Sequence, residues 1–260
     1  MKMPEVSVII PCYNQGHYLH EAIDSVFGQT FSDLEIIVVD DGSTDSATCL
    51  ILETLNRSRT KLIKRPNGGL AAARNTGIRA ASGRFILPLD CDDMLAPDYL
   101  RKAVSAMEAS PERGIVYCHA EKFGAENGPW KLPPYSRWRM LLGNIIFCSA
   151  LYRRSDWECT GGYDETLRRG WEDWDFWLSL LELGRDVHCI PEVGFYYRKH
   201  EHSMATGMGG HLKAVLHRRL MDKHPDAFGI LSKTPQTLLE IYYRMASVDF
   251  YRWFKKSLGR

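Results

Sequence analysis

The chain has 260 residues, 45% hydrophobic and 25% charged, which is material for one large globular domain or two small ones. Its 33 Lys and Arg against 32 Asp and Glu leave a net charge of +1, so charge gives no bias toward nucleic acid or a membrane surface. Seven cysteines, an odd number with no C-x-x-C pair, read as reduced thiols of a cytoplasmic protein, not as a disulfide framework or a zinc site.

The apolar run near the N-terminus is too short for a signal peptide, and no window is apolar enough to span a membrane. Residues 6–11 (VSVIIP) are rich in β-branched side chains, as in a strand buried on both faces. After CYNQG, the apolar residues Leu19, Ala22, Ile23, Val26 and Phe27 predict a helix over 18–27. Residues 34–39 (LEIIVV) predict a second buried strand running into DDGSTD, where Ser43 or Thr44 is placed to cap a helix over 45–55. A weaker strand at 62–64 precedes the turn Asn67-Gly68-Gly69 and an alanine-rich helix over 70–81, closed by Ser82-Gly83. Residues 85–89 (FILPL) form a short apolar strand, followed by a helix over 97–109 and a strand over 114–118. Strands alternating with helices predict an α/β fold, a Rossmann-like, mainly parallel sheet with helices on both faces.

Such sheets bind ligands beyond the carboxyl ends of their strands. The unusual polar groups sit there: Tyr13 and Asn14 after the first strand, Asp40 and Asp41 after the second, and Asp90, Asp92 and Asp93 after the fourth. Carboxylates crowded at a strand end repel one another, a cost that a divalent cation removes. Mg²⁺ and Mn²⁺ take one or two carboxylates plus substrate phosphates, so a metal–diphosphate site is expected. Tyr13 offers an aromatic face to a base, and Asp41 an acceptor for a ring N–H, which suits uracil better than adenine. Neither a P-loop nor a G-x-G-x-x-G turn follows the first strand, which argues against a P-loop NTPase and a dinucleotide oxidoreductase.

The segment VSVIIPCYNQGHYLHEAIDSVFGQTFSDLEIIVVDDGSTD, with GGLAAARNTGIRAASGRFILPLDCDD, closely resembles glycosyltransferase family 2, inverting enzymes of the GT-A fold. The resemblance covers residues 5–120 and reaches about residue 205 through the motifs below. It implies a nucleoside diphosphate sugar donor, a divalent cation (Mn²⁺ or Mg²⁺) and no covalent intermediate. By that similarity Pro11 and Tyr13 line the base pocket beside Asn14, Asp41 contacts the base, and Arg74 lies near the nucleotide or its phosphates. Asp90 then approaches the ribose and Asp92 ligates the metal, while Asp40 and Asp93 read as structural caps.

Residues 120–143, with Gly and three prolines, have no clear period and predict a loop over the acceptor side. Residues 144–152 (NIIFCSALY) predict a strand, 154–160 a short helix, and GGYD a turn. GWEDWDFW opens a buried helix near Glu172, with Trp171 and Trp174 read as core. Carboxylates in a first turn are favoured by the helix dipole. Direct displacement at an anomeric carbon also needs one carboxylate as general base, worth roughly 10²–10⁴ in rate. The pair Glu172-Asp173 resembles the family's E-D motif, which makes Asp173 the base and leaves Glu172 to orient the acceptor. Short strands are expected at 187–190 and 195–197. The segment YRKHEHS then resembles the family's C-terminal motif, with His200 as a metal ligand. Residues 203–210, small and Gly-rich, suit a lid over bound donor.

Beyond residue 211 the resemblance fades into helices over 211–224 and 235–258. The expected organisation is a GT-A catalytic domain over 1–210, divided into a nucleotide-binding half (1–120) and an acceptor half (121–210), with a helical extension over 211–260. The aromatic and basic segment 235–260 offers peripheral contact at the inner face of a membrane. The expected activity is inverting transfer from a UDP-sugar to a saccharide or lipid-linked saccharide hydroxyl in surface polysaccharide assembly, with no nucleic-acid partner. A nucleotidyltransferase is disfavoured by the missing triphosphate loop. An inactive nucleotide-sugar-binding subunit is disfavoured by the presence of the acidic cluster, the E-D pair and the His.

Overall fold

The computed structural model describes residues 3–201 and 208–229 and positions 233, 235, 238, 239 and 242. The chain divides into two compact units, Met1–Glu201 and His202–Arg260. In the first, the elements run β1 (Val6–Cys12), α1 (Gly16–Phe27), β2 (Leu34–Asp40), α2 (Ser46–Glu53), β3 (Thr60–Lys64), α3 (Leu70–Arg79), β4 (Phe85–Pro88), β5 (Met94–Leu95), α4 (Tyr99–Glu108) and β6 (Arg113–Gly124). There follow β7 (Gly128–Trp130), α5 (Arg137–Leu142), β8 (Leu151–Arg153), α6 (Arg154–Thr160), α7 (Glu172–Glu182) and β9 (Asp186–Lys199). One sheet joins the strands in the order β3-β2-β1-β4-β8-β6-β9-β5, with β7 paired to β6.

The sheet is mainly parallel, as predicted. β3, β2, β1 and β4 run parallel to one another, and β6 and β9 form a second parallel pair. β8 lies antiparallel between β4 and β6 and links the two. β1 is buried along its whole length between β2 and β4, which is why VSVIIP has no polar alternation. α3 lies on this core. Its alanines Ala71, Ala72 and Ala73 are buried, and a Cβ on Gly77 would stand 2.5 Å from Ile9 Cγ2, so small residues let the helix axis approach the sheet.

Several expectations need correction. Residues 144–150 are not strand; only Leu151–Arg153 joins the ladder, pairing with β4 and β6. The preceding stretch peels off the sheet, and its buried carbonyls find side-chain donors instead: Trp177 Nε1 to Ile146 O (3.2 Å) and Tyr99 Oη to Ser149 O (2.9 Å). The expected loop over 120–143 carries the end of β6, the hairpin strand β7 and the helix α5. The two short strands expected at 187–197 are one strand, β9, with a bulge opposite Cys118–Ala120. α2 is capped by Asp45, whose carboxylate accepts from Thr48 N at 2.8 Å, and not by Ser43 or Thr44.

In the second unit, α8 (Gly210–Lys223) realises the helix predicted over 211–224, and a single helical turn, α9 (Pro225–Phe228), follows with His217 edge-on to Phe228. Residues 203–207 of the expected lid lie outside the described residues, while 208–210 lead into α8, and of the helix and membrane contact expected at 235–260 only positions 235, 238, 239 and 242 are described. Among the described residues no helix is long and apolar enough to cross a membrane.

Candidate active site

β1 is flanked by β2 on one side and β4 on the other, so the chain reverses its direction of winding there, the place where open α/β sheets form a ligand crevice at the carboxyl ends. The β1–β4 ladder stops at Ile9↔Pro88, and Ile9 O accepts Leu89 N at 2.9 Å. Pro11, two residues on and facing the same way, has no N–H to lose where β4 has turned aside, which explains a proline in a central strand. Pro11 is buried, and Tyr13 stands out at 46% exposure as the aromatic surface of the crevice.

Asn14 joins the end of β1 to the loop after β2. It takes a left-handed backbone (φ 55°), and its amide is spent on the neighbouring loop: Oδ1 accepts Thr44 N (2.8 Å) and Asp45 N (2.9 Å), and Nδ2 donates to Thr44 Oγ1 (3.1 Å). Asp40 is a cap, as expected, accepting Ser43 N at 2.8 Å. Asp41 is buried, and its carboxylate is committed within the protein. It accepts from Arg65 Nη1, from Gly68 N (3.0 Å) and from Gly69 N (2.7 Å). Asp41 therefore fastens residues 65–69, which follow β3, to the carboxyl end of β2. Gly42 is required there, since with φ 74° a Cβ would meet Asn67 N at 2.6 Å.

Arg74, which the resemblance places near the nucleotide or its phosphates, is 1% exposed and bridges two carboxylates, donating from Nη1 to Glu172 Oε1 (2.7 Å) and from Nη2 to Asp90 Oδ1 (2.8 Å). Burial alone would lower its pKa; the charges of Asp90 and Glu172 outweigh that and push it well up, so it is always a cation. Glu172 is thereby held in a buried ion pair with Arg74. The adjacent Asn75 ties the 161–165 turn to α3. It donates to Tyr163 O (2.9 Å) and Glu165 Oε1 (2.9 Å) and accepts from Trp157 Nε1 (3.0 Å) and Tyr163 N (2.9 Å).

The acidic loop after β4 is held from β9. Asp93 is buried and accepts Arg198 N at 2.7 Å, while Arg198 Nε donates to Asp92 O at 2.8 Å. The Arg198 guanidinium is sandwiched between the rings of Tyr18 and Phe123, 4.4 and 4.3 Å from their centroids. This sets the end of β9 so that His200 Nε2 stands 2.8 Å from Asp92 Oδ2, joining the two expected metal ligands. Burial, then the charge of Asp90, raises the Asp92 pKa. Among the described residues no three His, Cys, Asp or Glu groups converge into a ready metal cage. Asp92 and His200 nevertheless fit a cation that draws its remaining ligands from a diphosphate and water, and a cation there would relieve the repulsion that Asp92 suffers from Asp90.

α7 starts from a strained turn. Gly170 (φ 101°) and Trp171 (φ 70°) both lie in the left-handed region, a conformation that costs a non-glycine residue roughly 1–3 kcal/mol. The turn delivers Glu172 to Arg74 and Asp173 to the crevice. Trp174 is core, as expected, and meets Trp171 edge-on at 4.8 Å. Asp173 accepts Trp174 N on Oδ1 (2.8 Å) and Asn144 Nδ2 on Oδ2 (2.9 Å). Burial, followed by the like charge of Glu172, raises its pKa to about 7. Glu172 is thus paired with Arg74 at 2.7 Å, and its neighbour Asp173 is poised to take a proton near neutrality.

The structure brings together Arg74, Asp90 and Glu172, Asp92 and His200, and Tyr13 at the rim. It adds Arg65, Arg198, Asn144 and Cys148, the last with Sγ 3.5 Å from Asp90 Oδ2. Of these only Arg198 fell within a recognised motif; the others come from segments whose course the local sequence does not announce. A hollow of about 490 Å³ opens between β6, β7 and residues 131–135, with Tyr117, Trp130 and Tyr135 in its wall.

The family described as Glycosyl transferase family 2 matches residues 7–162. The chondroitin synthase of Pasteurella multocida is 31% identical over 193 residues, covering 72% of this chain, which spans only 20% of that relative's length. Among solved structures, Staphylococcus aureus TarS 1–349 in complex with UDP-GlcNAc superposes with a TM-score of 0.72 at 19% identity, over 93% of this chain and 73% of that one. The mannosyltransferase PcManGT from Pyrobaculum calidifontis in complex with GDP-Man and Mn²⁺ gives 0.67 at 21% identity, over 99% and 80%. These two share the GT-A fold of this chain.

Proposed function

The chain belongs to glycosyltransferase family 2, and from that premise we propose that it moves one sugar from a nucleoside diphosphate sugar to an acceptor hydroxyl with inversion. The observation that carries this reading is the unequal carboxylate pair of α7: Glu172 is paired with Arg74 at 2.7 Å, and Asp173, with no ion-pair partner among the described residues, is raised by burial to about 7.

In this mechanism the donor lies in the crevice between β1 and β4, with its base against Tyr13 and the 65–69 loop that Asp41 holds. Asp90, fixed by Arg74, faces the ribose side. Asp92 and His200 would hold a divalent cation, which when bound would supply charge neutralisation to the diphosphate. The acceptor hydroxyl gives its proton to Asp173 as its oxygen forms the bond to the anomeric carbon. The carbon–oxygen bond to the diphosphate breaks on the opposite face, and the nucleoside diphosphate departs. No residue needs to become covalently attached, so a single base is enough. The acceptor approaches over the β6–β7 side, where aromatic rings offer faces to a saccharide.

The donor is proposed to be a UDP-sugar, in line with the UDP-GlcNAc held by TarS. The GDP-Man held by PcManGT makes a GDP-sugar the alternative. The acceptor is proposed to be a growing or lipid-linked saccharide, since the relative named above is a polysaccharide synthase. The test is thermal stability against UDP, GDP and their common sugars with and without Mn²⁺, followed by transfer to oligosaccharides. Metal-dependent stabilisation by one nucleotide and its sugar supports the reading. A protein that no nucleotide stabilises would contradict it.

A further inference from the structure

Asn144 lies in the irregular stretch between α5 and β8, in no motif that the sequence displays. Its side chain has one arrangement available. Oδ1 accepts Ile146 N at 3.2 Å, so the amide cannot be turned over without losing that bond, and Nδ2 is left facing Asp173 Oδ2 at 2.9 Å. The stretch itself is strapped to α7, the helix that carries Asp173. Trp174 Nε1 donates to Met140 O at 2.7 Å on one side of Asn144, and Trp177 Nε1 to Ile146 O at 3.2 Å on the other. Phe147, stacked on Phe195 at 4.5 Å, closes the far side. Backbone that leaves a sheet in a buried place normally loses stability; here two indole N–H groups hold it out, and the outcome is one amide aimed at one carboxylate.

We propose that Asn144 is a positioning residue for Asp173, holding the carboxylate's Oδ2 so that its unshared lone pairs face the acceptor hydroxyl. The assignment rests on the reading of Asp173 as general base given above. Asn144 does not touch the reacting atoms; it acts by fixing the rotamer of Asp173 and by donating to its ionised form. The charged and titratable groups that act on Asp173 are Glu172 on its own helix, Arg74 on α3, Asp90 after β4 and Cys148 on the same stretch as Asn144. Of these and Asn144, only Asn144 makes a hydrogen bond to the side-chain oxygen that Trp174 N leaves open.

The test uses four proteins: wild type, Asn144→Ala, Asp173→Asn and the double variant. Asn144→Ser serves as a second replacement, and melting temperature and Mn²⁺-dependent UDP affinity serve as controls for folding. The expected result for Asn144→Ala is a roughly tenfold or greater fall in kcat with donor KM unchanged, because only the base is misplaced. Its kcat–pH profile should move to higher pH by about half to one unit, since the hydrogen bond that favoured the ionised carboxylate is gone. In the double variant the Asn144 change should cost nothing beyond Asp173→Asn alone, because the residue acts only through Asp173. A pH profile that stays in place in both Asn144 variants, or full additivity in the double variant, would overturn the positioning role. If Asp173→Asn itself retained wild-type turnover, the reading of the base would fail instead, a result separable from the first.

Discussion

Removing the Arg74 side chain should damage stability more than any other single charge change in the site. Arg74 is 1% exposed, Glu172 is 5% exposed, and their ion pair is 2.7 Å long. Taking away the cation leaves Glu172 buried with its counter-charge gone and Asp90 without its 2.8 Å donor. Breaking a buried pair from one side costs about 3–5 kcal/mol. Arg74→Met keeps most of the volume and isolates that charge term from a cavity. At about 2–4 °C per kcal/mol for a chain of this size, the melting temperature should fall by roughly 6–20 °C. Urea unfolding gives the same quantity through the midpoint, with an unchanged slope showing that only stability moved. Adding Glu172→Gln to Arg74→Met removes the stranded carboxylate and should recover part of the loss. The exposed cation Arg84, paired with Glu5 and Glu108 at 2.8 and 3.4 Å, is the control and should cost less than about 1 kcal/mol when replaced. A loss below about 1 kcal/mol for Arg74→Met, or no recovery in the double variant, would refute the reasoning.

Other expectations follow from the same geometry. Asp92→Ala and His200→Ala should each weaken Mn²⁺-dependent UDP binding in calorimetry, with metal-free UDP binding little changed; equal loss with and without metal would place the cation elsewhere. Asp41→Asn should lower stability by about 1–3 kcal/mol, since the amide nitrogen cannot accept from Gly68 or Gly69; denaturation and donor affinity report it together. Turnover should rise with pH through about 7 as Asp173 ionises. For stability the sign reverses: this carboxyl binds its proton more tightly folded than unfolded, where 3.8 is the ordinary value, so the stability it contributes below about pH 4 is lost as pH rises to about 7. Asp173→Asn should therefore melt higher than wild type at pH 8, and a lower melting temperature there would count against the shift.

Residues 1–120 were legible because their strands are buried and helices alternate with them, so hydrophobic runs of β1, β2 and β4 announce themselves. The convergence of Asp92 with His200, 108 residues apart, was reached through motif resemblance, not through periodicity. Residues 120–150 were read least well. Their backbone is held by Trp174, Trp177 and Tyr99 from distant elements, so nothing local distinguishes a strand over 144–150 from the irregular path observed. Asn14, Asp41 and Arg74 stand at the predicted edge, and their side chains also tie loops and charges together there. Local sequence gives the edge of the sheet but not the direction of a side chain, and it is direction that separates a ligand contact from a clamp.

The measurement that bears most directly on the central claim is single-turnover transfer by Asp173→Asn, alongside its affinity for the donor nucleotide with Mn²⁺. The mutant amide keeps the size of the carboxylate but cannot take a proton. The account predicts donor affinity within about twofold of wild type and transfer reduced by roughly 10²–10⁴. Transfer at the wild-type rate with intact donor binding would contradict it and move the base to another residue.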